Sequence, residues 1–365
     1  MSRTVDIVVI GGGIAGMSAA AELSRDAQVL VLEAEDHLGY HSTGRSAAIF
    51  IRNYGNATLR RLNALAYPDL AGELLGETVL SPRGEMLIAR LEDMETFDSY
   101  LADTDGMERL SPGEAQSMVP ILRREKIAAA AIERDAQDID VDRLLQGCAR
   151  LLRARGGQIA TGKRLTGLSR DGSGWRVECD GESILAGRVV NAAGAWADRI
   201  AAMAGVAPIG LQPMRRSAVR MALPRQIEGH ADWPLFGSIM ESWYAKPDGD
   251  GLMISPADED PVDPHDAWPD DMVIAEGLFR FEEMVDVPIV KPSHSWAGLR
   301  SFVADRTPVV GAAADADGFY WLAGQGGYGV QTAPALARIL ADICLTDGRG
   351  TEPDLRASLS PARLA

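Results

Sequence analysis

Three glycines near the start of the chain stand at a spacing that could bind phosphate. Gly11, Gly13 and Gly16 form the pattern G-x-G-x-x-G between a β-branched run at 6–10 and an alanine-rich stretch at 17–23. The first glycine permits a tight turn, the second lets backbone approach a pyrophosphate, and the third lets a helix pack closely on a strand. The N-terminus of that helix would offer free N–H groups and a partial positive charge to the phosphates.

An acidic residue follows at the distance that a dinucleotide site requires. Glu33 ends a second apolar run at 28–32, where its carboxylate would accept hydrogen bonds from a ribose hydroxyl. The order strand, glycine turn, helix, strand, acid predicts nucleotide binding rather than an ordinary glycine-rich turn. It leaves open whether the nucleotide is FAD or NAD.

Three later segments are rich in hydroxyls, small side chains or glycines, against which a flat ring and a phosphate could lie. They are HSTGRSAA at 41–48, a strand that runs into small residues at 188–196, and a strand that breaks into glycines at 319–332. A helix predicted from about Thr332 to Leu345 would point the positive end of its dipole at a flavin ring or ribityl chain. Both ends of the chain therefore contribute to one predicted nucleotide site.

These motifs together give the chain a specific resemblance. The D-amino-acid oxidase superfamily of flavoproteins shows the same motifs in the same order, namely GGGIAG with Glu33, GYHSTGRSAA, VVNAAGAWAD, GLQPMRRSA, SWAGLRSFVADRTPVVG and GQGGYGVQT. Within it the chain most closely resembles the bacterial D-arginine dehydrogenases, which are FAD enzymes of broad D-amino-acid specificity. The resemblance implies an α/β fold, with a Rossmann-like FAD-binding domain and a second, substrate domain built on a mixed or antiparallel sheet.

The resemblance also implies that FAD is held noncovalently, because no cysteine stands where the sarcosine oxidase branch attaches its flavin. The residues that would contact FAD are Gly11, Gly13, Ile14, Ala15, Gly16, Glu33, His41, Ser42, Thr43, Arg45, Ser46, Ala47, Ala48, Ala193, Gly194, Trp196, Gly298, Arg300, Gly326, Gly327, Tyr328, Gly329, Val330, Gln331 and Thr332.

Two arginines match the positions that face the substrate carboxylate in this superfamily. Arg300 and Arg216 could each bind an α-carboxylate in a bidentate way, and Arg215 could take the place of Arg216. Tyr54 and Tyr244 match tyrosines that line the same pocket and donate hydrogen bonds. All four would act by positioning, because hydride transfer requires the α-C–H to point at the flavin.

Glu85 is the best indicator of the substrate's side chain. Its counterpart in the D-arginine dehydrogenases faces the cationic side chain of arginine or lysine. A carboxylate in an apolar pocket is costly unless it meets a cation, so Glu85 would favour basic substrates. The alternative is that Glu85 pairs with a nearby arginine such as Arg83.

Four substrate-pocket positions depart from the pattern of those enzymes. Ile49 and Ile51 stand where the family has a histidine and a threonine, while Leu235 and Gly237 differ from the bulkier or more flexible residues expected there; Gly327 is also assigned to this pocket. The resemblance alone therefore does not transfer D-arginine as the substrate. Without the histidine, the neutral amine would form from the solvent-equilibrated ammonium ion, so activity would follow the pKa of the substrate's own amine.

The leading hypothesis is oxidative deamination of a D-amino acid to an imino acid, which water hydrolyses to a 2-oxo acid and ammonia. The apolar Ile49 and Ile51 would also suit a secondary or N-substituted amino acid, such as sarcosine or an opine. A flavin-bound sensor without turnover is a third hypothesis, against which the carboxylate-binding arginines argue. The electron acceptor is left open among a quinone, an electron-transfer protein and oxygen.

Composition limits the other classes of function. The net charge of −16 argues against a general affinity for nucleic acid or anionic membranes. Cys148, Cys179 and Cys344 fit no zinc spacing, and the first apolar run is too short for a signal peptide or a membrane span. We therefore expect a cytoplasmic protein without an integral membrane segment. No metal is expected, because the acidic stretch at 257–271 lacks the order of a calcium loop.

A chain of 365 residues exceeds one comfortable hydrophobic core, which favours two lobes. We predict an FAD-binding domain from 1–75, 140–213 and 296–365, and a substrate domain from 76–139 and 214–295 whose antiparallel sheet covers the flavin. Further predicted elements are strands at SAVRMAL and WRVECD and helices at 141–155 and 332–345.

Overall fold

The computed structural model describes residues 3–364 of the chain. Its twenty β-strands are β1 (Arg3–Ile10), β2 (Val29–Leu32), β3 (Ile49–Phe50), β4 (Leu80–Pro82), β5 (Glu85–Ala89), β6 (Glu108–Leu110), β7 (Ala129–Glu133), β8 (Gln137–Ile139), β9 (Gln158–Ala160), β10 (Leu165–Asp171), β11 (Gly174–Cys179), β12 (Glu182–Asn191), β13 (Gln212–Ala222), β14 (Leu235–Ser238), β15 (Tyr244–Asp248), β16 (Gly251–Ser255), β17 (Asp260–Pro261), β18 (His294–Phe302), β19 (Val309–Ala312) and β20 (Phe319–Ala323).

Nine α-helices accompany these strands within the same residues. They are α1 (Ile14–Leu23), α2 (Ala57–Pro68), α3 (Met94–Ala102), α4 (Pro112–Met118), α5 (Val141–Ala154), α6 (Ala197–Met203), α7 (Asp271–Glu282), α8 (Gly329–Thr346) and α9 (Pro353–Leu359). No helix among residues 3–364 is both long and apolar enough to cross a membrane.

The first sheet has parallel strands at its centre. Its order is β10-β11-β12-β1-β2-β9, with β20 also pairing with β12 and β19 pairing with β20. β1 is parallel to both β12 and β2. Ile7, Val8 and Val9 are fully buried, as the predicted strand at 6–10 requires, because both faces of the central strand are covered.

Helices α1, α5 and α8 pack together in the largest core cluster, on one face of this sheet. Helix α5 confirms the predicted helix at 141–155, and it starts where the Asp140 side chain accepts a hydrogen bond from the backbone N–H of Arg143. Its buried Leu144, Cys148 and Leu152 recur every four residues, so they form one apolar stripe. The other predicted helix, α8, begins at 329 rather than 332.

The second sheet is mostly antiparallel and has its own core. Its order is β17-β13-β16-β15-β14-β5-β7-β6, with β18 pairing along β13. The fully buried Phe236 and Phe281 lie in the core cluster between this sheet and α7. The boundaries predicted at 213 and 296 fall inside β13 and β18, which belong to this second sheet.

The glycine turn after β1 is the tightest point between the first sheet and its helices. Gly11 has φ of +109°, and a Cβ on it would lie 2.4 Å from the carbonyl oxygen of Ala192. A Cβ on Gly16 would lie 1.9 Å from the carbonyl oxygen of Gly11. Only glycine at both positions lets α1 approach β1 and β12 this closely.

The variant Gly16→Ala should therefore push α1 away from the turn. We expect unfolding to become easier by at least about 2 kcal/mol, because the clash is with backbone rather than with a flexible side chain. The flavin content of the purified protein should fall with it. Thermal unfolding and flavin absorbance measure both effects.

Gly113→Ala is the matched control, since the nearest atom to a Cβ there is 3.7 Å away on a flexible arginine. Gly113 lies in α4, where alanine is the better helix former, so stability should be unchanged or slightly higher. Equal stability and flavin content in Gly16→Ala and the control would refute the packing argument.

Candidate active site

A cavity of about 660 Å³ opens at the carboxyl ends of β1, β2 and β12, and we call it the cofactor cavity. Its volume is in the range of about 300–1,000 Å³ that is usual for cofactor and ligand sites. The predicted FAD contacts that line it are Gly11, Gly13, Ile14, Ala15, Glu33, His41, Ser42, Thr43, Arg45, Ser46, Ala47, Ala193, Gly194, Trp196, Gly298, Arg300, Gly326, Gly327, Gly329 and Val330.

Five predicted FAD contacts lie outside this lining. Gly16 packs α1 on the glycine turn, and Ala48 directs its N–H to the hydroxyl of Ser46. Because α8 begins three residues earlier than predicted, the side chains of Gln331 and Thr332 are buried inside the fold. Gln331 bonds to the backbone of Ile51 and Thr332 bonds to the carbonyl oxygen of Tyr328, while Tyr328 itself lines a second cavity.

Polar contacts fix the turn at the nucleotide end of the cofactor cavity. The two oxygens of the Glu33 carboxylate accept hydrogen bonds from the N–H groups of Gly12 at 2.6 Å and Glu35 at 2.8 Å. The Thr43 hydroxyl accepts from the N–H of Ile14 at 3.0 Å, so the loop at 41–48 caps the first turn of α1. The carboxylate and the helix N-terminus are thus held rigidly where a ribose and a pyrophosphate would bind.

Arg45 ties the cofactor cavity to the second sheet. One terminal nitrogen of its guanidinium lies 2.5 Å from the Asp266 carboxylate. The other donates to the carbonyl oxygens of Ala267 at 3.0 Å and Ala297 at 2.9 Å. The guanidinium therefore anchors the loop at 41–48 against the acidic stretch, and the contribution of Arg45 to a cofactor site is this positioning.

Besides the Nε atom of Arg216, two buried polar atoms in the lining of the cofactor cavity have no hydrogen-bond partner among the residues that the structure describes. They are the hydroxyl oxygen of Ser301 and the side-chain nitrogen of Gln325. A buried polar atom without a partner is costly, so both atoms fit a site that a polar ligand completes. Neither residue was predicted from the sequence, although Ser301 directly follows Arg300 and Gln325 begins the glycine-rich turn.

A second cavity, of about 290 Å³, adjoins the cofactor cavity, and we call it the substrate cavity. Four residues line both cavities and so mark their junction: Ala47, Arg216, Tyr244 and Arg300. The other predicted substrate residues that line it are Tyr54, Glu85, Ile49, Ile51, Leu235 and Gly237. Gly327 lines the cofactor cavity instead, where a Cβ would lie 2.9 Å from the guanidinium of Arg300.

Arg300 is the cation at this junction. It lies on β18 and donates a hydrogen bond to the hydroxyl oxygen of Tyr54 at 3.3 Å. Burial opposes its charge, but the neighbouring Tyr54 and Tyr244, followed by Glu241 and Glu259, raise the pKa of Arg300 above its ordinary value. Burial also raises the pKa of Tyr54 to about 12, against the opposing effect of Arg300. A charged guanidinium and a neutral phenol therefore face the junction together.

Arg216 rather than Arg215 reaches the junction. Neighbouring residues of a strand point to opposite faces of the sheet, so only one of the two can face the cavities. Arg216 is 8% exposed and binds Glu259 at 2.9 Å, while its Nε atom lacks a partner. Arg215 lies on the other side, against Asp258 and Asp260. The acidic stretch at 257–271 thus supplies carboxylates to both arginines.

Glu85 lines the substrate cavity and forms no ion pair within residues 3–364. Arg83, the alternative partner suggested by the sequence, binds Asp138 at 2.7 Å and the carbonyl oxygens of Ala231 and Trp233. Glu85 is 7% exposed, and its Oε2 atom has no hydrogen-bond partner in the part of the chain that the structure describes. Burial first, then the nearby carboxylates of Glu133 and Glu241, raise the pKa of Glu85 to about 8.

Apolar side chains form much of the remaining wall. Ile51 and Leu235 are buried, and Ile49 is half-buried beside them. A Cβ on Gly237 would lie 2.8 Å from the Cβ of Tyr244, so glycine lets this tyrosine approach. The sequence did not identify several further residues of the wall: Asn53, Gly55, Arg60, Leu87, Tyr100, Ser238, Ile239, Glu241 and Trp243.

Comparison with known proteins identifies the family. The family model described as DAO, FAD dependent oxidoreductase, matches residues 6–343. This match covers most of the chain, and its description includes the cofactor that the motifs predicted. FAD is therefore confirmed as the cofactor of the family, and the cavity, the fixed carboxylate of Glu33 and the partnerless Ser301 and Gln325 fit it.

Two curated relatives are distant in sequence but match over nearly the whole length of both chains. Hydrogen cyanide synthase subunit HcnC of Pseudomonas aeruginosa is 24% identical over 94% of this chain and 92% of its own. Glycine oxidase of Geobacillus kaustophilus is 23% identical, over 94% and 93% respectively. The crystal structure of L-proline dehydrogenase from P. horikoshii covers 100% of this chain and 98% of its own, with a TM-score of 0.84 at 23% identity. The predicted fold class is confirmed by this likeness.

The raised pKa of Glu85 predicts how stability depends on pH. The carboxyl group is protonated in both states below its ordinary pKa of 4.5. Between that value and about 8 the unfolded chain ionises while the folded protein keeps the proton, so stability falls as pH rises. The free energy of unfolding falls by at most about 1.4 kcal/mol per pH unit. Glu85→Gln removes this ionisable group, so the stability of the variant relative to the parent should increase as pH rises from 5.5 to 7.5.

Unfolding by urea at these two pH values measures the difference. Glu108→Gln, on the exposed strand β6, removes a carboxylate of the same size whose pKa is lowered by Arg134, and it should show no such gain. If the curves of Glu85→Gln and the parent stay parallel across this range, Glu85 is ionised in the folded protein.

Proposed function

The chain belongs to the DAO family of FAD-dependent oxidoreductases, and from this premise we propose that it oxidises the Cα–N bond of a D-amino acid with a cationic side chain. The product is an imino acid, which water hydrolyses to a 2-oxo acid and ammonia. FAD, when bound, supplies the two-electron acceptor for the hydride that leaves Cα. The protein's part is to bind the substrate, orient it and exclude water.

The observation that carries this proposal is the distribution of charge in the substrate cavity. Arg300 lies at the junction with the cofactor cavity, whereas Glu85 lines the substrate cavity and not the cofactor cavity. An α-carboxylate on Arg300 would place the reacting Cα beside the cofactor cavity. The side chain would then extend along the apolar wall, and its cationic end would meet the partnerless oxygen of Glu85.

The hydroxyl groups beside Arg300 complete the carboxylate site. Tyr54 is already bonded to Arg300, and Tyr244 lines both cavities. Because burial raises the pKa of Tyr54 to about 12, its phenol stays protonated and can donate to a carboxylate oxygen. The guanidinium and the phenols together would fix the carboxylate in one orientation, and this determines which face of Cα is presented.

No ionisable side chain takes the place of the family's histidine at Ile49. The amine would therefore lose its proton to water before the hydride leaves Cα and the nitrogen lone pair forms the C=N bond. Rates at low substrate concentration should then rise with pH through the pKa of the substrate's amine. The D configuration rests on the motif resemblance to the D-arginine dehydrogenases, whereas the solved structures similar to this chain include enzymes named for L-amino acids.

A second candidate is oxidation of a secondary or N-substituted amino acid. Ile49 and Ile51 form an apolar wall in which an alkyl group on nitrogen would lose less hydration than an ammonium ion. The likeness to L-proline dehydrogenase supports this candidate, and the similarity to glycine oxidase supports a primary amine. The two candidates share the mechanism and differ in whether the apolar wall at Ile49 and Ile51 lies against a primary or an N-substituted amine.

Anaerobic reduction of the bound flavin distinguishes these candidates. The panel contains D-arginine and D-lysine, the neutral D-citrulline and D-norleucine, their L forms, and sarcosine, proline and an opine. We expect D-arginine to bleach the flavin faster than D-citrulline, which has nearly the same shape without the charge. Bleaching by the secondary amines alone would support the second candidate, and bleaching by none would leave a flavoprotein without this activity.

Glu85→Gln should selectively weaken the basic substrates. Loss of a buried charge partner costs about 2–5 kcal/mol, so kcat/KM for D-arginine should fall by roughly a hundredfold while that for D-citrulline changes little. Glu108→Gln, which removes an exposed carboxylate on β6, should leave both values unchanged. An equal loss for both substrates in Glu85→Gln would contradict the assigned role.

Arg300→Lys should weaken every amino-acid substrate. Lysine keeps the charge but cannot form the bidentate fork, so kcat/KM should fall by roughly a hundredfold for D-arginine and D-citrulline alike. The ratio between the two substrates should stay constant, which separates carboxylate binding from side-chain selection. A changed ratio with an unchanged D-citrulline value would place Arg300 near the side chain instead.

A further inference from the structure

A second carboxyl group lies beside Glu85 and is held in a different way. Glu133 ends β7, and the antiparallel register between β5 and β7 places it directly opposite Glu85. Directly opposed residues of an antiparallel pair project from the same face of the sheet, with Cβ atoms about 4.5–5.5 Å apart. Glu133 is 3% exposed and Glu85 is 7% exposed, so little water screens one carboxyl group from the other.

Hydrogen-bond donors distinguish the two groups. The Glu133 carboxylate accepts from the backbone N–H of Arg52 at 2.6 Å, the backbone N–H of Asn53 at 3.3 Å and the side-chain amide of Asn53 at 2.6 Å. Donors directed at both oxygens stabilise a carboxylate. Glu85 has an oxygen without any donor. The pair is therefore built so that Glu133 carries the negative charge in preference to Glu85.

We propose that Glu133 keeps Glu85 protonated in the free enzyme, and thereby sets the ratio in which the substrate cavity accepts neutral and cationic side chains. The inference rests on the proposed function, since it assumes that the substrate's side chain reaches Glu85. Two buried carboxylates side by side cannot both ionise cheaply, so the donor-rich one determines the state of the other. Glu133 touches no substrate, and its role is to control specificity through Glu85.

The other polar groups around Glu85 do not reverse this preference. Glu241, on the loop after β14, adds a further negative charge. Tyr100 on α3 is half-buried and neutral, because burial first, and then Glu85 and Glu133, raise its pKa. Arg60 on α2 directs its guanidinium to the Asp103 carboxylate and to the carbonyl oxygens of Asn53 and Gly55. Burial, Glu133 and Glu241 together raise the pKa of Glu85 to about 8.

Binding of a cationic side chain would then release a proton. The protonated carboxyl group of Glu85 loses H⁺ to solvent as the guanidinium arrives, and the products are the ion pair and one free proton. A neutral side chain binds the protonated form without any release. Preference for D-arginine over D-citrulline should therefore increase with pH until Glu85 is ionised in the free enzyme.

The ratio of kcat/KM for D-arginine to that for D-citrulline, measured on the FAD-loaded enzyme from pH 6 to 9.5, tests the proposal. Taking the ratio cancels the titration of the α-amine that both substrates share. In the parent enzyme we expect the ratio to rise by up to tenfold per pH unit and to level off above about pH 8. In Glu133→Gln the midpoint should move down by about one pH unit, which raises the ratio at pH 6.5 by roughly tenfold.

Four control variants make the result specific. Glu108→Gln removes an exposed carboxylate on β6, the other neighbour of β7, and should leave the midpoint in place. Glu85→Gln should make the ratio independent of pH, and adding Glu133→Gln to it should not change the ratio further. Asn53→Ala removes one donor from Glu133 but keeps both carboxyl groups. It should move the midpoint in the same direction by less, and it tests the proposal if Glu133→Gln loses its flavin.

The outcomes separate this inference from the proposed function. If the parent ratio is independent of pH and Glu85→Gln leaves it unchanged, the side chain does not reach Glu85 and the proposed function fails. If Glu85→Gln abolishes a pH-dependent ratio but Glu133→Gln and Asn53→Ala leave its midpoint in place, the inference alone is overturned. Equal losses for both substrates, with an unmoved midpoint, would show that Glu133 only holds the loop at 52–54.

Discussion

Nine consecutive residue pairs between β13 and β18 hold the two arginines of the site in place. Arg300 lies opposite Met214 in this ladder, and Arg216 is two residues further along β13, so both arginines project from the same face. Diagonal neighbours in a sheet are about 7–8 Å apart, and two unit charges at that distance repel by on the order of 2 kcal/mol at an effective dielectric of about 20. The ladder therefore creates a strongly positive junction, and the surrounding residues must offset part of this charge.

The acidic stretch at 257–271 supplies most of that offset. Glu259 binds Arg216 and also Arg306, while Asp258 and Asp260 hold Arg215 on the opposite face. Arg300 forms no ion pair within residues 3–364, and its hydrogen bond goes to a phenol. A partly buried guanidinium without a carboxylate partner is costly in the free protein, and that cost is relieved when an anionic ligand binds. The fold thus leaves one arginine available to a substrate carboxylate.

The parts of this site that depend on residues close together in sequence could be predicted, whereas the parts that depend on contacts between distant strands could not. Gly11, Gly13 and Glu33 belong to a contiguous strand-turn-helix-strand unit, so their roles could be predicted from spacing alone. The choice between Arg215 and Arg216 depends on which face of β13 meets the cavities, and sequence alone does not give that register. The resemblance assigned Gln331 to the cofactor, whereas α8 begins at 329 and the buried Gln331 side chain bonds to the backbone of Ile51.

The roles of Glu133 and Glu259 could not be predicted from the sequence for a related reason. Each acts on a residue far away in sequence, Glu133 on Glu85 and Glu259 on Arg216, and neither stands in a recognisable motif. Only the pairing of β5 with β7, and the return of the acidic stretch along β13, bring them into contact. The motifs therefore predict where a cofactor binds, since backbone geometry is local. The charge state of the substrate cavity arises from pairs across strands. Within residues 3–364 those pairs leave the Arg300 guanidinium and the buried Glu85 carboxyl group without ion-pair partners in the same cavity.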